Sequence, residues 1–222
     1  VRRSSRTARL VPLLKTGIWI GALAPLGWLV YAGFTDQLTA DPIKYLTHHT
    51  GRTTLVLVFL TLSVTPIRRL SGWNPLIRVR RPIGLFAFFY AVLHLAIYFI
   101  FDRGLALGEL GEDIAKRPYI TVGFTAWLIL LALAVTSPAA MVRRLGRHWQ
   151  RLHRLIYAAA GLGLLHFAWA QKKDLRPVLP YAAVLAALVT VRLTLALDAV
   201  AGRRAQRERH EARDLVIPGG AR

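Results

Sequence analysis

Near-continuous apolar runs recur along the chain at roughly 11–33, 53–70, 83–101, 119–137, 150–170 and 178–200, and basic or polar segments separate them. At ~1.5 Å per residue, runs of this length are those that cross ~30 Å of hydrocarbon as helices. The pattern therefore predicts an all-α, polytopic membrane protein built as a six-transmembrane-helix bundle spanning residues 11–200. The second run is the weakest of the six, because Arg52 caps its start and Pro66 interrupts its end. Residues 1–10 form a basic arm. The run after that arm matches the later ones in length and shows no small-residue cleavage site, which predicts a first span and not a removed signal peptide. Residues 201–222 form a second basic segment, a tail that is helical at its start. Gly21, Gly27, Gly161 and Gly163 fall inside spans, where small residues let helices approach closely.

Composition sharpens this reading. Thirty Lys and Arg stand against eleven Asp and Glu, for a formal net charge of +19. Such an excess can mark a nucleic-acid binder, but here the positive charges cluster between the apolar runs, as in membrane proteins. Most lie in the amino-terminal arm, the 66–82 and 138–154 loops and the tail. The opposite connections hold Lys44 and Arg52, then Arg103, Lys116 and Arg117, then Lys172, Lys173 and Arg176. The asymmetry predicts cytoplasmic termini and no nucleic-acid partner. Cysteine is absent, which excludes disulfides, iron–sulfur clusters, thioether-linked haem and thiolate ligation. The single methionine, Met141, lies in a loop beside Pro138. Histidine is thus the strong nitrogen ligand left for a buried metal or haem.

Topology sorts the seven histidines. His210 belongs to the tail and is expected in solvent; His48 and His49 precede the second span and are expected at the outer surface. His148 falls at the headgroup level before the fifth span. His94, His153 and His166 remain. His94 lies thirteen residues past Arg81 and His166 twelve past Arg154, so both stand ~18–20 Å from the cytoplasmic face on helices that run outward. Two imidazoles at one depth on parallel helices can clamp an iron porphyrin from both sides. The plain alternative for each is a satisfied polar contact between helices, although ionisable groups inside membranes more often mark function. His153 lies ~20 Å below His166 and ~140° around an ideal helix from it. Either the helix departs from ideality near Gly161–Gly163, or the two serve different sites, or His153 does not ligate. No Asp or Glu lies mid-membrane, since Asp198 is close to the inner end, and this weakens a proton-transport reading.

RRPIGLFAFFYAVLHLAIYFIFD (80–102), LTLSVTPIRRLSG (60–72) and WQRLHRLIYAAAGLGLLHF (149–167) resemble the MsrQ family, formerly YedZ, over roughly residues 10–200. That family lies within the ferric-reductase-like transmembrane group, which also includes NADPH oxidases. The resemblance implies a six-helix protein that binds haem b between helices and sends electrons outward. The implied recipient is a periplasmic molybdopterin subunit, MsrP, which reduces methionine sulfoxide in oxidised periplasmic proteins. The quinone pool or a cytosolic flavin reductase is the implied donor, and FMN an implied second cofactor. The family's haem ligands map onto His94, His166 and His153. His94 and His166 would hold the outer haem iron and His153 a possible inner one. NADPH oxidases carry two histidines on each of two helices, whereas here the position opposing His153 falls near Arg80 and Arg81. A second haem would need another ligand, such as His148, or five-coordinate iron. NADPH oxidases also continue into a flavin- and nicotinamide-binding domain, so a separate electron donor is expected here.

Arg80, Arg81, Arg151 and Arg154 fit positive-inside topology first; a flavin phosphate, a haem propionate or lipid phosphate is the sharper alternative. Arg192, inside the sixth run, either snorkels inward or meets an inner cofactor anion. Phe86, Phe89, Tyr90 and Tyr98 pack as core or line a haem edge. Two other functions compete with electron conduction to MsrP: a stand-alone ferric or quinone reductase, and a non-redox transporter or anchor.

Overall fold

A computed structural model describes residues 2–102, 104, 105, 107–171 and 174–216, and every regular element among them is helical. In chain order these are α1 (Arg2–Phe34), α2 (Pro42–Ser71), α3 (Ile77–Ile97), α4 (Leu107–Lys116), α5 (Pro118–Val135), α6 (Ala139–Leu145), α7 (Arg147–His153), α8 (Ile156–Ala170) and α9 (Leu179–Val216). A 3-10 turn at Asn74–Leu76 leads into α3, and a π-turn at Tyr98–Asp102 extends it. Five helical stretches among the described residues are long and apolar enough to cross a membrane: Pro12–Phe34, Pro42–Ser71, Asn74–Asp102, Pro118–Val135 and Leu179–Glu208. The 150–170 run is the exception to the expected six. It divides into α7 and α8, and α8 alone has 15 residues, ~22 Å of helix. Lys172, Lys173 and Arg103, assigned above to outer connections, lie outside the described residues, as does the side chain of His210.

Local chemistry sets the boundaries. α2 begins eleven positions before the apolar run, because the Asp41 side chain accepts from Lys44 N and Pro42 occupies the first turn. Both are favoured at a helix start, where the first N–H groups lack intrahelical partners. Pro66 is accommodated inside α2, which ends where Gly72 adopts φ 67°, a left-handed cap natural to glycine. The α7–α8 junction tightens through bonds from Arg154 N to Arg151 O, Leu155 N to Leu152 O and Tyr157 N to Arg154 O. The departure from ideality therefore falls at Arg154–Leu155, and α8 runs unbroken through Gly161 and Gly163.

Two helix pairs make the core. α2 packs most extensively on α3, and α5 on α8; α3–α5 and α2–α8 contacts join the pairs. Buried positions recur with helical spacing at Leu55, Val58, Phe59 and Leu62 on α2 and at Ile83, Phe86, Ala87 and Tyr90 on α3. α1 rests on α3, while α9 lies along α2 and α8 with no buried residue in its apolar window. Apolar residues outside, polar ones tucked between helices, is the arrangement lipid demands. Tyr90 is fully buried, and its hydroxyl donates to Ala22 O (2.7 Å) and accepts from Leu26 N (3.0 Å). It thereby stands inside the α1 backbone ladder beside Pro25, a known setting for helix bends. Tyr90 and Phe86 take the core role.

Candidate functional site

Packing α2 on α3 and α5 on α8 brings His94 and His166 together. Their ring centres are 6.0 Å apart and the ring planes are nearly perpendicular, at 83°. Each ring is fixed from behind by a neighbouring helix in the same manner. His94 Nδ1 lies 2.9 Å from Thr47 O on α2, and His166 Nδ1 lies 2.7 Å from Tyr119 O on α5. A carbonyl only accepts, so each Nδ1 carries the proton and donates, and each Nε2 keeps its lone pair. This arrangement orients metal-binding imidazoles and raises their basicity. Tyr119 also stacks its ring on His166 at 6.0 Å and 25°.

Glycine makes both approaches possible. In an α-helix the carbonyl of residue i is covered by residue i+4, which here is Gly51 for Thr47 and Gly123 for Tyr119. A Cβ at Gly51 would meet His94 Cε1 at 3.0 Å, and one at Gly123 would meet His166 Nδ1 at 2.6 Å. Of the four glycines expected to mediate close packing, only Gly163 has a neighbour within 4 Å of an added Cβ; Gly21, Gly27 and Gly161 have none. The glycines that lie against the histidines are instead Gly51, outside the predicted span, and Gly123. Their signal in the sequence was position: each lies near the outer end of its helix, level with a histidine.

Two imidazoles with free Nε2 lone pairs and ring centres 6.0 Å apart could hold one iron between them. Metal–imidazole bonds of about 2 Å on opposite sides of one ion place two ring centres roughly 6 Å apart, and the observed separation is 6.0 Å. Among the described residues no group of three or more His, Asp or Glu converges as a metal cage. A two-histidine site suits a haem, whose porphyrin supplies the remaining ligands.

His153 lies elsewhere. It ends α7, stacks on Trp149 with ring centres 3.9 Å apart, and its Nδ1 lies 3.2 Å from Trp149 O. Arg80 is within electrostatic reach of it, while His148 is exposed. Among the described residues Arg192 reaches no carboxylate, and it does not project freely. Its guanidinium sits 5.2 Å from the Tyr157 ring centre, a cation–π contact. His48 and His49 are not surface residues ahead of a span. They lie on α2, half-buried, facing a cavity beside α1.

Residues 50–164 match the family described as "Ferric reductase like transmembrane component", which covers the segment from α2 to α8. Fold and matched segment together define a ferric-reductase-like transmembrane protein. Curated relatives narrow the class. A protein of Ralstonia nicotianae is 50% identical over 183 residues, covering 81% of this chain and 84% of that protein. One of Herminiimonas arsenicoxydans is 48% identical over 184 residues, with 82% and 84% coverage. One of Xanthomonas euvesicatoria is 44% identical over 201 residues, with 88% and 92% coverage. Each is named "Protein-methionine-sulfoxide reductase heme-binding subunit MsrQ". The chain belongs to the MsrQ family.

Proposed function

We propose that the chain is the membrane electron-transfer subunit of a methionine-sulfoxide reductase system. In this reading it carries electrons from quinol or reduced flavin to a periplasmic, MsrP-type molybdopterin enzyme. His94 and His166 would hold the iron of a b-type haem near the outer face. The observation that carries the reading is their 6.0 Å ring-centre separation, with each Nδ1 tied to a backbone carbonyl. A haem bound there supplies reversible one-electron chemistry.

The chain's own residues prepare that site. Thr47 O and Tyr119 O hold both tautomers so that each Nε2 keeps its lone pair for a ligand. Gly51 and Gly123 let α2 and α5 close against the rings, and the apolar core beneath limits water access. α8, continued through the tight turn into α7, serves as the sixth crossing at roughly 36 Å for the combined segment. The basic residues of the 66–82 and 138–154 segments then face the cytoplasm with both termini, in a bacterial inner membrane. His153 is the candidate ligand of an inner iron, and FMN, implied by family membership, would sit on that basic side.

The visible spectrum of the purified protein tests the reading. A Soret band that shifts on dithionite reduction, lost in both His94→Ala and His166→Ala, is the expected result. Retention of the wild-type spectrum in both variants would refute the ligation. Electron delivery to a purified MsrP-type protein, compared with delivery to ferric chelates, separates this function from a stand-alone ferric reductase.

A further inference from the structure

α1 and α2 line a half-open cavity of about 340 Å³. Its α1 wall is Gly21, Ala22 and Pro25, which contribute little bulk. Its α2 wall is one helical face, polar toward the helix start and apolar beyond. The polar end carries Tyr45, His48, His49 and Arg52. His49 Nε2 is buried without a hydrogen-bond partner, a condition native proteins seldom leave without a ligand or water to relieve it. The Tyr45 hydroxyl accepts from Trp28 Nε1 at 3.0 Å, so its own proton remains available to donate. Past Val56 and Leu60, a second cavity of about 380 Å³ continues between α2 and α9, and Phe59, Val184 and Leu188 line it. From His48 to Ser63 the combined trough follows α2 for ~22 Å, with its polar groups at one end.

We infer that this trough binds a prenylated quinol, with the ring at His49 and the isoprenoid tail along Val56 and Leu60. The inference rests on the electron-carrier reading and assigns the place where its lipid-soluble donor is held. Position favours a redox ligand. Thr47 and Gly51, which contact His94, occupy the opposite face of the same turns of α2, so one helix diameter, ~10 Å, separates the ring from the imidazole. The chemistry of the polar end agrees. A phenol, a guanidinium and an imidazole that can donate or accept complement a ring whose hydroxyls become carbonyls on oxidation. A phosphodiester headgroup presents acceptors alone and needs only Arg52.

The test uses the full-length protein in phosphatidylcholine nanodiscs, with decyl-ubiquinone as probe and quenching of intrinsic tryptophan fluorescence as readout. Two variants address the trough. His49→Leu removes the unpartnered nitrogen. Gly21→Phe fills the cavity from a position where an added Cβ meets nothing within 4 Å. Each is expected to raise the Kd about tenfold or more with haem absorbance per protein unchanged. If His49→Leu disturbs the haem spectrum, Gly21→Phe decides, because it lies on α1, away from both imidazoles. An unchanged Kd in both variants overturns the proposal. So does competitive loss of quinone binding when phosphatidylglycerol replaces part of the phosphatidylcholine, which would make an anionic lipid the occupant. Retention of the wild-type haem spectrum in both His94→Ala and His166→Ala, with quinone binding intact, would instead reject the electron-carrier reading alone.

Discussion

Gly123 presses so closely on His166 that a Cβ at that position would stand 2.6 Å from Nδ1. The ring cannot swing aside cheaply, because Nδ1 is tied to Tyr119 O and the face stacks on the Tyr119 ring. Gly123→Ala is therefore expected to displace the imidazole at a cost of roughly 1–3 kcal/mol, as for other overpacked sites. Haem retention through purification should fall sharply. Gly51→Ala, with its nearest contact at 3.0 Å, should show a smaller loss. Pyridine-haemochrome content per protein, compared across both variants, checks the order. Equal retention in Gly123→Ala and wild type would show that the glycine does not set the ring's position.

His153 and the His94–His166 pair belong to different parts of the bundle. His153→Ala is expected to leave the Soret and reduced α-band of the outer site in place, and to remove only absorbance belonging to an inner iron. Quantitative haem analysis of the variant beside wild type measures this directly. Loss of the whole spectrum would mean that His153 supports the outer site after all.

Tyr90 ties α3 to the α1 backbone through its hydroxyl. Tyr90→Phe removes the hydroxyl between Ala22 O and Leu26 N. The expected cost is about 1–2 kcal/mol, because the backbone groups must then find one another directly. Thermal unfolding in detergent should report a lower midpoint, and the haem spectrum should not change.

Asp113, buried at 7% exposure, anchors α4. It accepts from Tyr98 in the π-turn and pairs with Arg117 Nε at 2.9 Å. Arg117 is partly exposed, so solvent weakens the ion pair. Asp113→Asn is expected to cost about 1–2 kcal/mol and to raise hydrogen exchange in Leu107–Lys116 specifically. Unchanged exchange there would show that α4 is held by its apolar contacts alone.

Most spans were legible because hydropathy reports directly on lipid exposure. Hydropathy starts the second span at 53, after Arg52, since Lys44, His48 and His49 lower the local value. The Asp41–Pro42 start shows that the helix forms before the apolar run begins. The fifth span was read as one helix, yet local i→i−3 bonding divides it at Arg154–Leu155. Thr47 and Tyr119 were not legible at all, because they act through backbone carbonyls, which every residue possesses.

The sequence by itself determined that the chain is helical and membrane-spanning, and that His94 and His166 stand at one height. Height follows from the fixed rise per residue, a consequence of local hydrogen bonding. Only the tertiary structure decided which way each ring turns, which carbonyl holds it and which glycine yields to it. Rotation about a helix axis and the identity of its neighbour depend on side-chain packing between helices, and no single helix encodes that.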